Sequence, residues 1–187
     1  MDTENISIEF KTKTPLSKKL FPIILAVVII LADQITKLLI LNYFSQVPGQ
    51  KVACSFFGDF LRIIFVTNPG IAFSIGQGLS LTARAILFRA IPLIVLILVL
   101  IVYFRNDDFT QLQRWAIMGV AGGGFGNLID RCFRPEGVID FVDIKFFGIF
   151  GMERWPTFNV ADAAVVVCGI ILLVSFIFSF KKQPSKE

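Results

Sequence analysis

The sequence predicts an all-α membrane protein, four transmembrane helices in a single domain covering residues 1–187. Three observations carry this. Hydrophobic residues make up 55% of the chain against 17% charged, and the mean hydropathy is +0.75. A soluble domain holds about 45–50% apolar residues and could not hide the excess. Phe supplies 21 of the aromatic residues, beside two Trp and two Tyr, which suits a lipid-facing surface. Apolar stretches of crossing length recur along the chain, where about 20 residues cover the hydrocarbon core.

The elements follow in order. Residues 1–19 form a polar, basic tail. The first span, 20–44, reads LFPIILAVVIILADQITKLLILNYF. Its basic flank would suit a signal peptide, but the run passes through Asp-Gln-Ile-Thr-Lys into more Leu and Ile. With no small-x-small cleavage site, it is expected to be a retained helix. The outer segment that follows contains DFLRIIFVTNPGIAFSI at 59–75, β-prone about an Asn-Pro-Gly turn. The second span, 85–104, carries Arg89 in its first turn. The third, 112–131, has only Trp115–Ile129 free of charge and is rich in Gly. It must lie among protein neighbours or draw its polar ends into the interface. Another β-prone stretch, GVIDFVDIKFFGIF, occupies 137–150, and the fourth span is 158–180. Residues 181–187 close the chain. The first 15 and last five residues are expected to be disordered tails.

Lys and Arg set the orientation. With both termini inside, the inner segments 1–19, 105–114 and 181–187 hold nine basic residues in 36 positions. The outer segments 45–84 and 131–157 hold seven in 67. The density places both termini in the cytoplasm.

The chain has no His. That excludes a Ser-His-Asp triad, a Cys-His dyad, an HExxH zinc site and axial His ligation of haem. The three Cys (Cys54, Cys132, Cys168) show no CxxC spacing and read as small hydrophobes. An enzyme of this composition must use carboxylates, amines, hydroxyls or backbone, and no metal or cofactor is expected. The net charge of +4 suits basic ends facing anionic lipid.

Ionisable residues inside spans are costly, about 2.5–3.5 kcal/mol each at the helix centre, and mark function by default. Asp33 and Lys37 stand four residues apart on one face of the first helix, where they could equally neutralise each other. Gly123, Asn127, Asp130 and Arg131 share a face of the third. Gly119 and Gly123 suit close helix packing, and Asp130–Arg131 could be an interfacial salt bridge. Asn159 reads as an N-cap of the fourth helix, with Asp162 at its third position. Asp140, between β-branched and aromatic neighbours, is hard to explain as a surface residue. Under the predicted topology all these groups, with Asn68, converge on the outer face. Two carboxylates without His suggest an aspartyl dyad sharing one proton.

These residues also carry a resemblance. The chain resembles the signal peptidase II family, the lipoprotein signal peptidases of bacteria. The matching pieces are Asp33-Gln34-Ile35-Thr36-Lys37, Asn68-Pro69-Gly70-Ile71-Ala72-Phe73, Gly122 to Arg131, Val138-Ile139-Asp140-Phe141 and Phe158-Asn159-Val160-Ala161-Asp162, in family order. The resemblance implies a small periplasmic β-cradle between helices 1 and 2 and a periplasmic segment between helices 3 and 4. It implies an inner-membrane endopeptidase that cleaves diacylglyceryl-modified prolipoproteins before the lipidated Cys, with Asp140 and Asp162 as the catalytic dyad. Asn68, Asn127 and Arg131 would hold the substrate backbone. Asp33, Lys37, Asp130, Asn159, Ala161, Gly70 and Val138 would shape and support the site. Expected partners are prolipoproteins, membrane lipid and cyclic peptide inhibitors such as globomycin, with no nucleic acid; the enzyme is expected to be a monomer. The polar N-terminus and the Phe- and Gly-rich stretch 145–155 depart from the family pattern. Asp162 is expected to be the charged member of the dyad and Asp140 the neutral one, unless Arg131 points at Asp140. Asp143 is expected to tolerate substitution. Two other classes compete: a four-helix transporter with Asp33 and Lys37 as a coupling pair, and a lipid-binding scaffold whose acids only cap helices.

Overall fold

The computed structural model describes residues 13–69, 80, 82–83 and 86–181. Gly70, the Ile71-Ala72-Phe73 motif and most of both expected tails lie outside these residues. A short helix α1 (Leu16–Leu20) meets the long α2 (Ile23–Gln46) at Phe21-Pro22. Pro22 has no N–H, so it sits where a helix start would leave that donor without a partner anyway. A π-helical turn, Ile86–Ala90, runs into α3 (Ile91–Arg105). Helix α4 (Gln111–Phe133) opens with a capping box: the Gln113 N–H donates to the Thr110 hydroxyl, and the Thr110 N–H donates to the Gln113 side chain. Helix α5 is Val160–Lys181.

Among the described residues, three helical stretches are long and apolar enough to cross a membrane: Leu16–Gln46, Ile86–Arg105 and Val160–Ser179, with mean hydropathies of 2.4, 2.8 and 2.7. Their outward side chains, such as Val28, Leu39, Leu98 and Leu173, are exposed, as lipid-facing positions should be. Helix α4 is not among them, although its 23 residues extend about 34 Å. It packs against α2, α3 and α5 at the middle of the bundle. A helix so surrounded needs no apolar coat, and its residues serve close packing instead. A Cβ on Gly122 would come within 2.8 Å of the Ala26 backbone, and one on Gly123 would run into the Ala161 carbonyl oxygen. Small residues at such crossings let the backbones approach. Away from the polar site the core is built from Ala26, Tyr103, Ile117 and Met118, with a second group around Leu96, Ala121 and Leu128.

The sheet corrects one expectation. Strands β1 (Val52–Phe56) and β2 (Leu61–Asn68) form an antiparallel hairpin between α2 and α3. The third strand, β3 (Val138–Ile144), comes from the segment between α4 and α5 and pairs antiparallel with β2. The sheet order is β1-β2-β3. The cradle is therefore shared by both outer segments, because the two β-prone runs satisfy their backbone groups on each other. Asn68 pairs with Val138 and Val66 with Asp140, which carries Asp140 to the side of the bundle. Beyond β3, residues 145–155 fold back on themselves through a Lys145–Arg154 bridge.

Candidate active site

The site starts from one buried cation. Lys37 and Asp33 are both fully buried, and Lys37 Nζ lies 2.7 Å from Asp33 Oδ2. Their spacing of four residues on α2 puts both on one helix face. The pair is not self-contained. Lys37 Nζ also lies 2.8 Å from Asp130 Oδ2 and donates to Asn127 Oδ1 at 3.1 Å. An ammonium has three N–H donors, and all three are used. Asp130 is balanced further by the half-buried Arg134 at 3.0 Å, so two carboxylates meet two cations. Gln34 joins it, donating towards Asp33, Asp130 and the Gly126 carbonyl, each at 3.1 Å.

The two buried carboxylates of this group reach out to two other elements. Asp33 Oδ1 accepts the Ala161 N–H at 3.0 Å, a free donor in the first turn of α5. Asp130 Oδ2 accepts the Ile139 N–H at 3.3 Å, on β3. Helix α5 carries Asp162 and strand β3 carries Asp140. One buried ion cluster thus fixes both elements that present the remaining acids. Gly126 is needed for this approach, since a Cβ there would stand 2.8 Å from Asp33 Oδ2.

Asn159 joins the two acids. Its side-chain oxygen accepts the Asp162 N–H at 2.9 Å, and Asp162 Oδ2 accepts the Asn159 N–H at 3.2 Å. That is a reciprocal cap at the start of α5. The Asn159 amide nitrogen donates to Asp140 Oδ1 at 2.7 Å and lies within reach of Asn127 Oδ1 at 3.1 Å. Asn127 in turn donates to Asp162 Oδ1 at 2.7 Å. Asn68 donates to Asp140 Oδ2 at 3.3 Å. Asp140 is buried and Asp162 half-buried. Burial first, and the nearby Asp162 charge second, push the Asp140 carboxyl up to about 6. The shift has the direction expected for the neutral member.

Asp33, Lys37, Asn68, Asn127, Asp130, Asp140, Asn159, Ala161 and Asp162 are therefore joined in one hydrogen-bonded network. Val138 is buried at the start of β3, opposite Asn68. Gly70 lies outside the described residues. Arg131 is not paired with Asp130; the partner of Asp130 on that side is Arg134, one helical turn on. Arg131 Nε is buried with no hydrogen-bond partner among the described residues. Asp143, the acid expected to tolerate substitution, is held in a clamp. It is 2% exposed, and Arg62 and Arg154 each reach one of its oxygens at 2.6 Å. Sequence reasoning missed this clamp and Gln34's part in the ion cluster. The strand pairing of Arg62 with Asp143 is the signal that would have found the first. Among the described residues, no group of His, Cys, Asp or Glu could hold a metal ion.

A second polar cluster stands at the opposite end of the bundle, around Lys19, Tyr103, Asp107 and Arg114. The convergence of all polar groups on one face is therefore incomplete. Between the ends lies the apolar core.

The chain is similar to known proteins. The family described as signal peptidase (SPase) II matches residues 25–178. A lipoprotein signal peptidase of Treponema pallidum (strain Nichols) is 48% identical over 171 residues, covering 90% of each chain. Another, of Treponema denticola, is 49% identical over 162 residues, covering 87% of this chain and 91% of its own. A third, of Borreliella burgdorferi, is 42% identical over 168 residues. Among solved structures, a bacterial membrane enzyme determined at 1.9 Å superposes with a TM-score of 0.65 at 27% identity, covering 89% of this chain and 97% of that one. A second, at 2.3 Å, gives a TM-score of 0.69 at 24% identity over 95% and 98%. The match runs from α2 through most of α5, and the chain belongs to the signal peptidase II family.

Proposed function

We propose that this membrane protease is an aspartyl endopeptidase that removes signal peptides from diacylglyceryl-modified prolipoproteins, cutting before the lipidated Cys. The observation that carries the reading is the linkage of Asp140 and Asp162 through one side chain, Asn159, on elements braced by a common ion cluster. Two carboxylates held this way can divide one proton between them.

Asp162 is the base. Its oxygens accept from Asn127 and from the Asn159 N–H at a helix start, donors that favour negative charge. It takes a proton from water as the oxygen attacks the scissile carbonyl. Asp140 is the acid. Bound substrate excludes water and raises its carboxyl further, so that it enters the reaction protonated and donates to the carbonyl oxygen. The tetrahedral intermediate then breaks at the C–N bond. The leaving amine takes the proton held by Asp162, and the second hydroxyl proton returns to Asp140, which restores the starting state. In this reading Asn68 and Arg131 hold substrate backbone. In this reading four helices cross the inner membrane, both termini are cytoplasmic and the dyad faces the periplasm.

Lipid on the substrate follows from the site's place. The dyad stands where α5 begins, at the edge of its apolar span. A diacylglyceryl group left in lipid would hold the scissile bond at that depth and reduce the entropic cost of positioning it. The test is purified enzyme with a prolipoprotein peptide in lipidated and unmodified forms. Cleavage of the lipidated form only, directly before the modified Cys, is the expected result. Equal cleavage of the unmodified peptide would refute the substrate assignment.

A further inference from the structure

The polar cluster at the other end of the bundle has no part in the peptidase chemistry. Arg114 lies on α4 about 20 Å from Asn127. It is fully buried. Its Nη2 donates to the Asn106 carbonyl at 2.9 Å and approaches the Thr14 hydroxyl at 3.4 Å. Its guanidinium stands 5.5 Å from the Tyr103 ring centre and 5.9 Å from that of Phe109. Among the described residues it makes no salt bridge, and its Nε has no hydrogen-bond partner. The nearest acid is already engaged: Asp107 is held by Lys19 at 2.7 Å and by the Thr14 N–H at 3.1 Å. The Arg114 charge also acts on Asp107 without contact, but a buried guanidinium with no acid in hydrogen-bond reach is costly.

Arg114 lies along a cleft of ≈ 250 Å³ that is also lined by Lys13, Thr14, Lys18, Phe109 and Gln111. Lys13 and Lys18 are exposed and likewise make no salt bridge among the described residues. Three cations therefore converge on one small space whose described lining holds no acid. Phe109 also lines a second cleft, of ≈ 370 Å³, whose other walls are apolar. That groove follows α3 from Val102 to Val95, about 10 Å, and is closed on the far side by Val120 and Phe176 of α4 and α5. A polar pocket for an anion thus adjoins an apolar groove, at the level where α3 gives way to the polar loop Asn106–Thr110.

We propose that this end of the bundle is a binding site for one anionic phospholipid, with its phosphate among Lys13, Lys18 and Arg114 and one acyl chain in the groove. Basic pockets between membrane helices are suited to such headgroups. A free phosphate would leave the groove empty, and a lipid without net charge would leave the cationic pocket without a counter-charge. The site is separate from the dyad, so the bound lipid steadies the helix ends without entering the reaction.

The test titrates the purified full chain in detergent with phosphatidylglycerol, phosphatidylcholine or inorganic phosphate. The thermal midpoint and the lipid adduct retained in native mass spectrometry are read together. Arg114 is too buried for its variants to be informative if they misfold, so the test variant is Lys13→Gln with Lys18→Gln, both at exposed positions. Phosphatidylglycerol is expected to raise the midpoint and remain bound, while phosphatidylcholine and phosphate do neither. The double variant is expected to bind phosphatidylglycerol about 30-fold more weakly, with its lipid-free midpoint and peptidase activity unchanged. Equal shifts from the two lipids would overturn the proposal, as would an undiminished phosphatidylglycerol shift in the double variant. A shift from inorganic phosphate as large as that from phosphatidylglycerol would make this a free-anion site and overturn the lipid assignment.

Discussion

Replacing Asp140 by Asn is expected to inactivate the enzyme and to stabilise it. Asp140 is 3% exposed, and its carboxyl rises from the ordinary 3.8 to about 6, through burial first and the charge on Asp162 second. Between those two values the folded protein binds this proton more tightly than the unfolded chain does. Stability drawn from the shift is present at low pH and is lost as pH rises through about 6. Each tenfold change in proton affinity is worth about 1.4 kcal/mol, so ionised Asp140 costs the fold about 3 kcal/mol at about pH 8. Asn has the same shape, carries no charge and still accepts from Asn159, while its amide nitrogen meets Asn68, whose side-chain amide must turn over to accept. The variant should therefore gain up to about 3 kcal/mol at about pH 8, and about half of that at about pH 5. Reversible unfolding in detergent micelles at the two pH values measures the gain. A variant no more stable than the parent at the higher pH would refute the reasoning. So would a gain that does not change with pH.

Lys37→Met should lower stability by about 3–5 kcal/mol, because Asp33 and Asp130 would be left buried with their shared ammonium gone; the same unfolding assay reads it. Asp143→Asn should cost about 1–2 kcal/mol, less than a fully buried pair, since Arg62 and Arg154 keep partial access to water. Its peptidase activity should persist in the folded fraction, which separates the clamp from the chemistry.

The legible parts of the molecule were those whose cause is local. Periodicity and apolar length are local, so the helices could be located from the sequence. The cap at Asn159 and Asp162 is also local, because an N-cap and its third residue are written three positions apart. The α2 pair of Asp33 and Lys37 was visible for the same reason, but not its third member. Asp130 reaches Lys37 only because Gly122, Gly123 and Gly126 let α4 approach α2 and α5. The third strand was hidden in a similar way. Both β-prone runs were evident, yet nothing near either one says that they pair across α3 and α4. Arg131 in the last turn of α4 and Arg134 just past its end both lie near Asp130 in sequence, and either could serve it; the choice depends on side-chain direction. The far cluster escaped notice because Lys19, Asp107 and Arg114 look like ordinary basic and acidic flanks until the fold buries Arg114.

The most direct test of the account uses Asp140→Asn and Asp162→Asn, each purified, shown to be folded, and given lipidated prolipoprotein. Asn keeps the shape of each acid and can still hydrogen-bond, but it cannot pass a proton. Both variants should lose cleavage while Asp59→Asn, at an exposed acid on the β1–β2 turn, keeps it. Near-normal turnover by either dyad variant would contradict the assignment of the reaction to this pair.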